Sequence, residues 1–212
     1  PFIEATHPDL AQEVKDFTTK LEFNTQEQWT GRWYTRAIMR SYFLNRPIVL
    51  HENDINLESQ PWALISDLAA NGDHVNTLVQ SIDTQLDRRS LIGAPLFKGG
   101  MIWPAISHLL TWGYTRSHPE LAWRSFYRNT FLAHSETFPK IWFHTWSGPD
   151  GVNGTDALRN PGGTWTSPVT AMTDFPITNN NPHAMALLAM MRISGVEPTA
   201  AGDGLRIAPQ KP

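Results

Sequence analysis

The sequence predicts a mainly α protein, built from antiparallel helix pairs joined by long loops rich in aromatic side chains. Three observations lead there. Apolar residues recur at helical spacing in six stretches. Strand-like runs are few and short, and neither a repeated alternating pattern nor a βαβ rhythm occurs. The 14 Gly and 16 Pro gather between the helical stretches.

The first stretch, Thr6 to Leu21, carries Leu10, Val14, Phe17 and Leu21 on one face, with Thr6 as cap and Pro8 in the first turn. Trp62, Ile65 and Ala69 share a face in the second. Asp73 caps the third, where Val75, Leu78, Val79, Ile82 and Leu86 keep the spacing. Ile106, Leu109, Leu110 and Gly113 mark the fourth. Ser117 to Ala133 forms the fifth, with a capping-box pattern of Ser117 and Glu120 around Pro119. The last runs through Ala184, Leu187, Leu188 and Met191 and ends at Gly195. Thr6-His-Pro-Asp-Leu-Ala and Ser117-His-Pro-Glu-Leu-Ala are alike, as in a repeated hairpin unit. Strand-like runs are expected at Arg46 to His51 and Ile141 to Trp146. The Gly-, Pro-, Thr- and Asn-rich stretch Ser147 to Ile177 is a loop of the length that usually has a function.

Composition narrows the class. Apolar residues make up 41% of the 212-residue chain and charged residues 17%, so the chain can bury a core and is not of the disordered type. A net charge of -3 gives no electrostatic footprint for nucleic acid or an anionic membrane. No apolar run approaches the roughly 20 residues of a membrane helix. Without cysteine there is no disulfide and no thiolate metal site, and the compartment, cytoplasmic or periplasmic, is left open. No His-x-x-x-His, phosphate-binding glycine loop, dinucleotide glycine pattern or Gly-x-Ser-x-Gly occurs, so neither a metal nor a bound cofactor is expected.

Five clusters are candidates for chemistry, each beside a structural alternative. Trp29 to Arg36 packs three aromatics and two arginines around Gly31. Trp33 is suited to stacking on a sugar ring and Arg32 and Arg36 to binding hydroxyls or an anion, or the cluster is core with surface arginines. Glu52, Asp54 and Glu58 precede a helix, where carboxylates also favour its dipole; Glu58, Gln60 and Trp62 are candidates to bind sugar. Lys98, Gly99, Gly100 and Trp103 open a helix, either offering backbone N–H groups to a ligand or making a plain turn. Trp142, His144 and Trp146, candidates to bind the substrate with Trp146 stacking on a sugar ring, precede Asp150, a candidate general acid or base whose alternative is an Asx turn. Thr166 lies in a Gly/Thr-rich run suited to sugar hydroxyls, and Asp174 and Glu136 are further candidate acids.

In order, these segments resemble the C-terminal half of the cellobiose-phosphorylase family and its hydrolase relatives. Gly31-Arg-Trp-Tyr-Thr-Arg-Ala37 is similar to the family's aromatic-Arg-Ala element. Gln60-Pro-Trp-Ala-Leu-Ile-Ser66 resembles its Gln-x-Trp-Ala-x-x-Ser helix start, the sharpest match. Gly99-Gly100, Gly162-Gly-Thr-Trp165, Gly195-Val-Glu-Pro and Gly204-Leu-Arg-Ile-Ala-Pro209 resemble later elements in the family's order, so the likeness spans nearly the whole chain.

The resemblance implies an (α/α)6 toroid, of which residues 1–212 would be the C-terminal portion of one catalytic domain. It also implies inverting cleavage of β-glucosidic bonds in an oligosaccharide substrate. The family's general acid belongs to a Gly-Asp-x-Asn-Asp motif that these residues lack and that is expected before Pro1. The phosphorylases place a phosphate-holding His after the later Gly-Gly, where this chain has Pro104, and Thr166-Ser-Pro168 replaces their Thr-Gly-Ser. Hydrolysis is therefore expected over phosphorolysis, with inorganic phosphate a co-substrate only in the second case. An inverting hydrolase needs a base carboxylate about 6.5–9.5 Å from its acid. Asp150 is the first candidate, ahead of Asp174 and Glu136. A non-catalytic carbohydrate-binding domain is the alternative from another class. Helix faces left open in a partial toroid favour association, a homodimer included.

Overall fold

Proline decides where much of this chain turns helical. Five helices among the described residues carry proline in the first two positions, where its fixed φ suits the helix and its missing N–H leaves no bond unmade. The computed structural model describes residues 2–41, 43, 45–70, 73–143, 148–165, 180–199 and 202–210. The helices are α1 (Phe2–Thr6), α2 (Pro8–Gln26), α3 (Gln60–Ile65), α4 (His74–Gln85), α5 (Pro104–Thr115), α6 (Pro119–Arg128), α7 (Phe131–Thr137), α8 (Pro139–Trp142) and α9 (Asn180–Ile193). Among the described residues the strands form three two-stranded antiparallel pairs: β1 (Ala37–Arg40) with β2 (Pro47–Leu50), β3 (Met101–Ile102) with β4 (Val152–Asn153), and β5 (Val196–Pro198) with β6 (Leu205–Ile207). The molecule is thus mainly helical.

Among the described residues two junctions, at His7 and Phe138, join helix to helix through one residue before proline, and the three-residue turn from α5 to α6 ends on a third such residue, His118. His7, His118 and Phe138 sit at φ -144°, -136° and -131° with ψ 75°, 71° and 66°. The proline ring excludes the α region for the residue before it. Each of the three still donates its N–H to the carbonyl four residues back, at 2.7 Å (His7 to Ile3), 2.7 Å (His118 to Tyr114) and 2.8 Å (Phe138 to His134). The alike sequences at Thr6 and Ser117 thus have alike backbones, and each hydroxyl bonds the next histidine's Nδ1, at 2.9 and 2.7 Å. These junctions correct the expected caps. His7 and His118, not Thr6 and Ser117, occupy the N-cap positions, and neither caps with its side chain. The expected helix from Ser117 to Ala133 is two helices, divided where Thr130 caps α7 by accepting from Ala133 N at 3.3 Å. The strand expected over Ile141 to Trp146 is replaced, as far as residue 143, by α8 and a turn, because Pro139 starts a helix there. Gly99 and Gly100 do not open a helix: β3 and Trp103 intervene before Pro104.

The core forms around α5, which packs on α3, α6 and α9. Leu110 and Tyr114 of α5 join Leu64 of α3, Leu78 and Ile82 of α4, Leu86 just after it, Ala122 of α6 and Ile193 of α9, all buried in one cluster. The stripe read in α4 is this core's floor. Gly113 allows the close α3–α5 approach, since a Cβ there would stand 3.1 Å from the Leu64 side chain. A second cluster joins Ile92, Ile102, Trp142 and Val152. In contrast, Leu10, Val14, Phe17 and Leu21 of α2 remain exposed, and Ala11 alone is buried among that helix's described residues. The periodicity predicted the helix correctly, but the face it presents is not covered here. The C-terminal end of α2 is tied down by Gln26, whose Nε2 donates to Leu68 O at 2.7 Å.

Charge is buried in this core where α4 ends against α6. Asp83 of α4 and Asp87 just after it are buried, and Arg124 of α6 hydrogen-bonds both, Asp87 at 2.8 Å. Arg88 pairs with Asp83, while Arg128 donates to the Asp87 carbonyl at 2.7 Å. Burial pushes the Asp87 carboxyl up, and the Arg124 guanidinium pulls it back. Replacing one partner of such a pair leaves an uncompensated buried charge. Arg124→Met should therefore destabilise the fold by about 3 kcal/mol. An unchanged denaturant midpoint would show that the cluster does not hold α4 to α6.

Candidate functional site

The aromatic-Arg segment is shaped by one threonine and one glutamine. Thr30 Oγ1 accepts from Arg32 N at 3.3 Å and Trp33 N at 3.2 Å and donates to Trp33 O at 2.8 Å, closing a turn in which Gly31 takes φ +93°. Only glycine adopts that conformation without strain. Gln60 is fully buried. Its Oε1 accepts from Tyr34 N at 3.0 Å, and its Nε2 donates to Tyr34 O at 2.8 Å and Asn56 O at 2.7 Å. One side-chain amide thus satisfies both backbone groups of Tyr34 as a neighbouring strand would. Gln60 was expected to bind sugar; all its polar atoms are already engaged inside the protein, so its role is to hold the segment.

This clamp brings Arg36, Glu58 and Trp62 to one place. Arg36 Nη2 lies 2.6 Å from Glu58 Oε2, and Asn56 Oδ1 accepts from Glu58 N at 3.0 Å, fixing the backbone that carries the acid. Trp62 projects from α3 with 51% of its surface exposed. Between it and α2 lies a cleft of about 510 Å³, lined by Arg36, Trp62, Thr18, Glu22, Gln28 and Thr35 among others. That size suits a small-molecule site.

Trp33, expected to stack on a sugar, and Trp142, expected to bind the substrate, are instead buried packing residues. Trp33 is 1% exposed, its Nε1 donates to His51 O at 3.2 Å, and the Arg32 guanidinium covers its ring at 4.4 Å. Trp142 is fully buried, donates to Gly162 O at 2.6 Å and stacks on Phe131 at 6.3 Å. Both use the indole as a large apolar body with a single donor to satisfy, which packing exploits as readily as binding does. The Gly162-Gly-Thr-Trp165 loop is thereby pinned to the second core cluster. Trp103 is half-buried at the N-cap of α5 against the main core, and Lys98 is exposed at a shallow hollow beside Arg89 and Asp156.

The candidate acids are dispersed. Asp150 is half-buried after Gly148 and Pro149, and Glu136 is exposed and accepts from the Tyr127 hydroxyl. Neither lines the cleft at Trp62. His144, Trp146, Thr166 and Asp174 lie outside the described residues. Among the described residues no group of three or more His, Asp or Glu is placed to hold a metal ion, and no helix is long and apolar enough to cross a membrane.

A second pocket did not emerge from the sequence. His108 of α5 and His134 of α7 are buried beside a cavity of about 430 Å³. Burial lowers both imidazoles to about 4, and at His108 the neighbouring His134 adds to the effect. The signal was α5 itself, which buries Ser107, His108 and Thr111 along with its apolar residues and so has little outer face to which a histidine could turn.

No protein-family model matches the chain, and no curated protein matches it.

Two outcomes follow from this geometry. Gln60→Leu strands the N–H and C=O of Tyr34 in a dry environment and should cost about 2 kcal/mol, with loss of the ordered Arg36–Glu58 pair by NMR. For the histidines, the unfolded chain takes up protons near 6.5 while the folded protein resists until about 4. Their contribution is complete above about 6.5 and is lost as the pH falls toward 4, at up to about 1.4 kcal/mol per pH unit for each. Denaturant melts between pH 7 and 4 measure this, and His134→Phe should flatten the dependence.

Proposed function

We propose that this chain carries the sugar-binding cleft of a glycoside-bond-cleaving enzyme of the cellobiose-phosphorylase-like superfamily, acting with inversion on β-gluco-oligosaccharides within an (α/α)6 toroid. The observation that supports this most is the open indole of Trp62 in one cleft with Arg36, which Glu58 orients. A pyranose ring offers an apolar face to an indole and a ring of hydroxyls to guanidinium and carboxylate groups. These three residues all fall within or beside the two segments that carry the sharpest resemblance.

In this reading Trp62 stacks on a sugar, Arg36 binds its hydroxyls, and Asp150 serves as the base for water. The acid comes from a Gly-Asp-x-Asn-Asp element that residues 1–212 do not contain. Hydrolysis is favoured because Pro104 occupies the first turn of α5 and offers no side-chain donor to phosphate. One observation favours a second reading, a non-catalytic carbohydrate-binding domain: neither Asp150 nor Glu136 reaches the cleft of Trp62.

The product of the whole gene, incubated with β-linked gluco-oligosaccharides with and without phosphate, should release free reducing sugar in both conditions. Asp150→Asn should abolish that release while leaving binding intact. Sugar 1-phosphate made only with phosphate present would mean phosphorolysis, and binding without any product would favour the second reading. Trp62→Ala should weaken oligosaccharide binding about tenfold, the loss of one good stacking contact, measured by calorimetry. Unchanged affinity would remove this cleft from the proposal.

A further inference from the structure

Helix α2 presents an apolar stripe that is left open among the described residues. Leu10, Val14, Phe17 and Leu21 are 47%, 45%, 64% and 52% exposed. They follow one another at steps of four, three and four residues, the spacing of a coiled-coil seam. A helix packed on its own core turns such a seam inward. Here the helix is held instead at its C-terminal end, where Gln26 bonds Leu68 O, and by α1 at the other.

The charges beside the seam match those of their own copy. At about 100° per residue, Glu13 and Lys20 fall on one flank of it and Ala11 and Thr18 on the other. Neither Glu13 nor Lys20 has an ion-pair partner among the described residues, whereas Lys15, farther round the helix, is taken by Glu4 at 2.6 Å. In an antiparallel pair with Leu10 level with the partner's Leu21, Val14 is level with the partner's Phe17. Glu13 then stands beside the partner's Lys20, and two-fold symmetry repeats the contact. A parallel pair sets Glu13 and Lys20 beside the partner's Thr18 and the partner's Thr25, and gains no ion pair. Antiparallel copies also keep their cores at opposite ends of the paired helices, since Gln26 ties each α2 to its own core.

We propose that this seam pairs antiparallel with the same seam of a second copy of the chain, the apolar side chains forming the contact and Glu13 and Lys20 setting its register. A membrane surface also takes apolar helical stripes, but Asp9, Glu13, Asp16 and Glu22 outnumber Lys15 and Lys20 on this helix, and an anionic lipid surface repels that balance. The seam is short, so the pair is a weak one whose population rises with concentration. Thr18 and Leu21 also line the cleft of Trp62, so the partner's helix borders that cleft. The pairing does not depend on what the cleft binds.

Sedimentation equilibrium on the product of the whole gene measures the pairing, with far-UV circular dichroism to verify that each variant folds. The expected result is a monomer–dimer equilibrium that Phe17→Asp abolishes. Glu13→Lys and Lys20→Glu should each weaken the dimer about tenfold, because either change turns both ion pairs into like-charge contacts. Mixing the two variants in equal amounts, or combining both changes in one chain, should restore it, since opposite charges then face each other again. A monomer at every concentration overturns the proposal and leaves the seam to further hairpins of the same molecule. A dimer that Phe17→Asp leaves intact overturns it too, as do charge reversals that neither mixing nor combination rescues. Failure of oligosaccharide binding or turnover counts against the sugar reading of the Trp62 cleft and leaves this result untouched.

Discussion

The Gln60 amide is the contact on which the candidate cleft depends. It reaches from the first turn of α3 to both backbone groups of Tyr34, 26 residues earlier in the chain. The same segment is held as well by the Tyr34 hydroxyl at Leu68 O, by the Arg36–Glu58 pair and by the burial of Trp33 and Tyr34 in the main core, but Gln60 alone bonds both backbone groups of Tyr34. Because Trp62 lies two residues beyond Gln60 on the same helix, one bond network sets the separation between the indole and the guanidinium. A pre-organised pair of this kind binds without the cost of ordering two long side chains.

Polar groups bind the rest of the helical core as well. Ser107 donates to the Ala94 carbonyl at 2.9 Å, and Thr111 and Ser125 share a hydrogen bond at 2.9 Å between α5 and α6. With the Arg124 cluster, these contacts fix the rotation of α6 against α5 and α4, which dispersion alone would define less sharply. Tyr114 sits where the two systems meet: its ring is in the apolar cluster and its hydroxyl faces Asp87 at 3.4 Å, with burial pushing that phenol well above 10.

Much of this was readable from the residues, and the exceptions have physical causes. The apolar periods of α4, α5 and α9 located those helices, since a helix buried on one side must repeat its apolar residues at 3.6. Local rules also found β2 and the glycine that ends α9. Capping chemistry failed at Thr6 and Ser117 because the proline two residues on moves the start of the helix by one position. Trp33 and Trp142 could not be told from sugar-stacking tryptophans, because an indole buried in a core and one facing a ligand have the same sequence and differ only in what covers the ring. Likewise, Asp83, Asp87 and Arg124 look like surface charge in the sequence; only the packing of α6 on the end of α4 puts them together. The pairing of Arg36 with Glu58 spans 22 residues and depends on the Gln60 clamp, which no local spacing encodes.

The one-residue corners at His7 and Phe138 have an evolutionary corollary. Two helices that meet through a single pre-proline residue have no slack between them. Each residue gained or lost at such a corner would turn the second helix by about 100° about its axis, moving Trp142 of α8 out of the second core cluster. Length variation among descendants of this chain is thereby steered away from the corners and into the longer stretches between helices, so the spacing from His134 to Trp142 acts as a ruler that drift can repaint but not shorten.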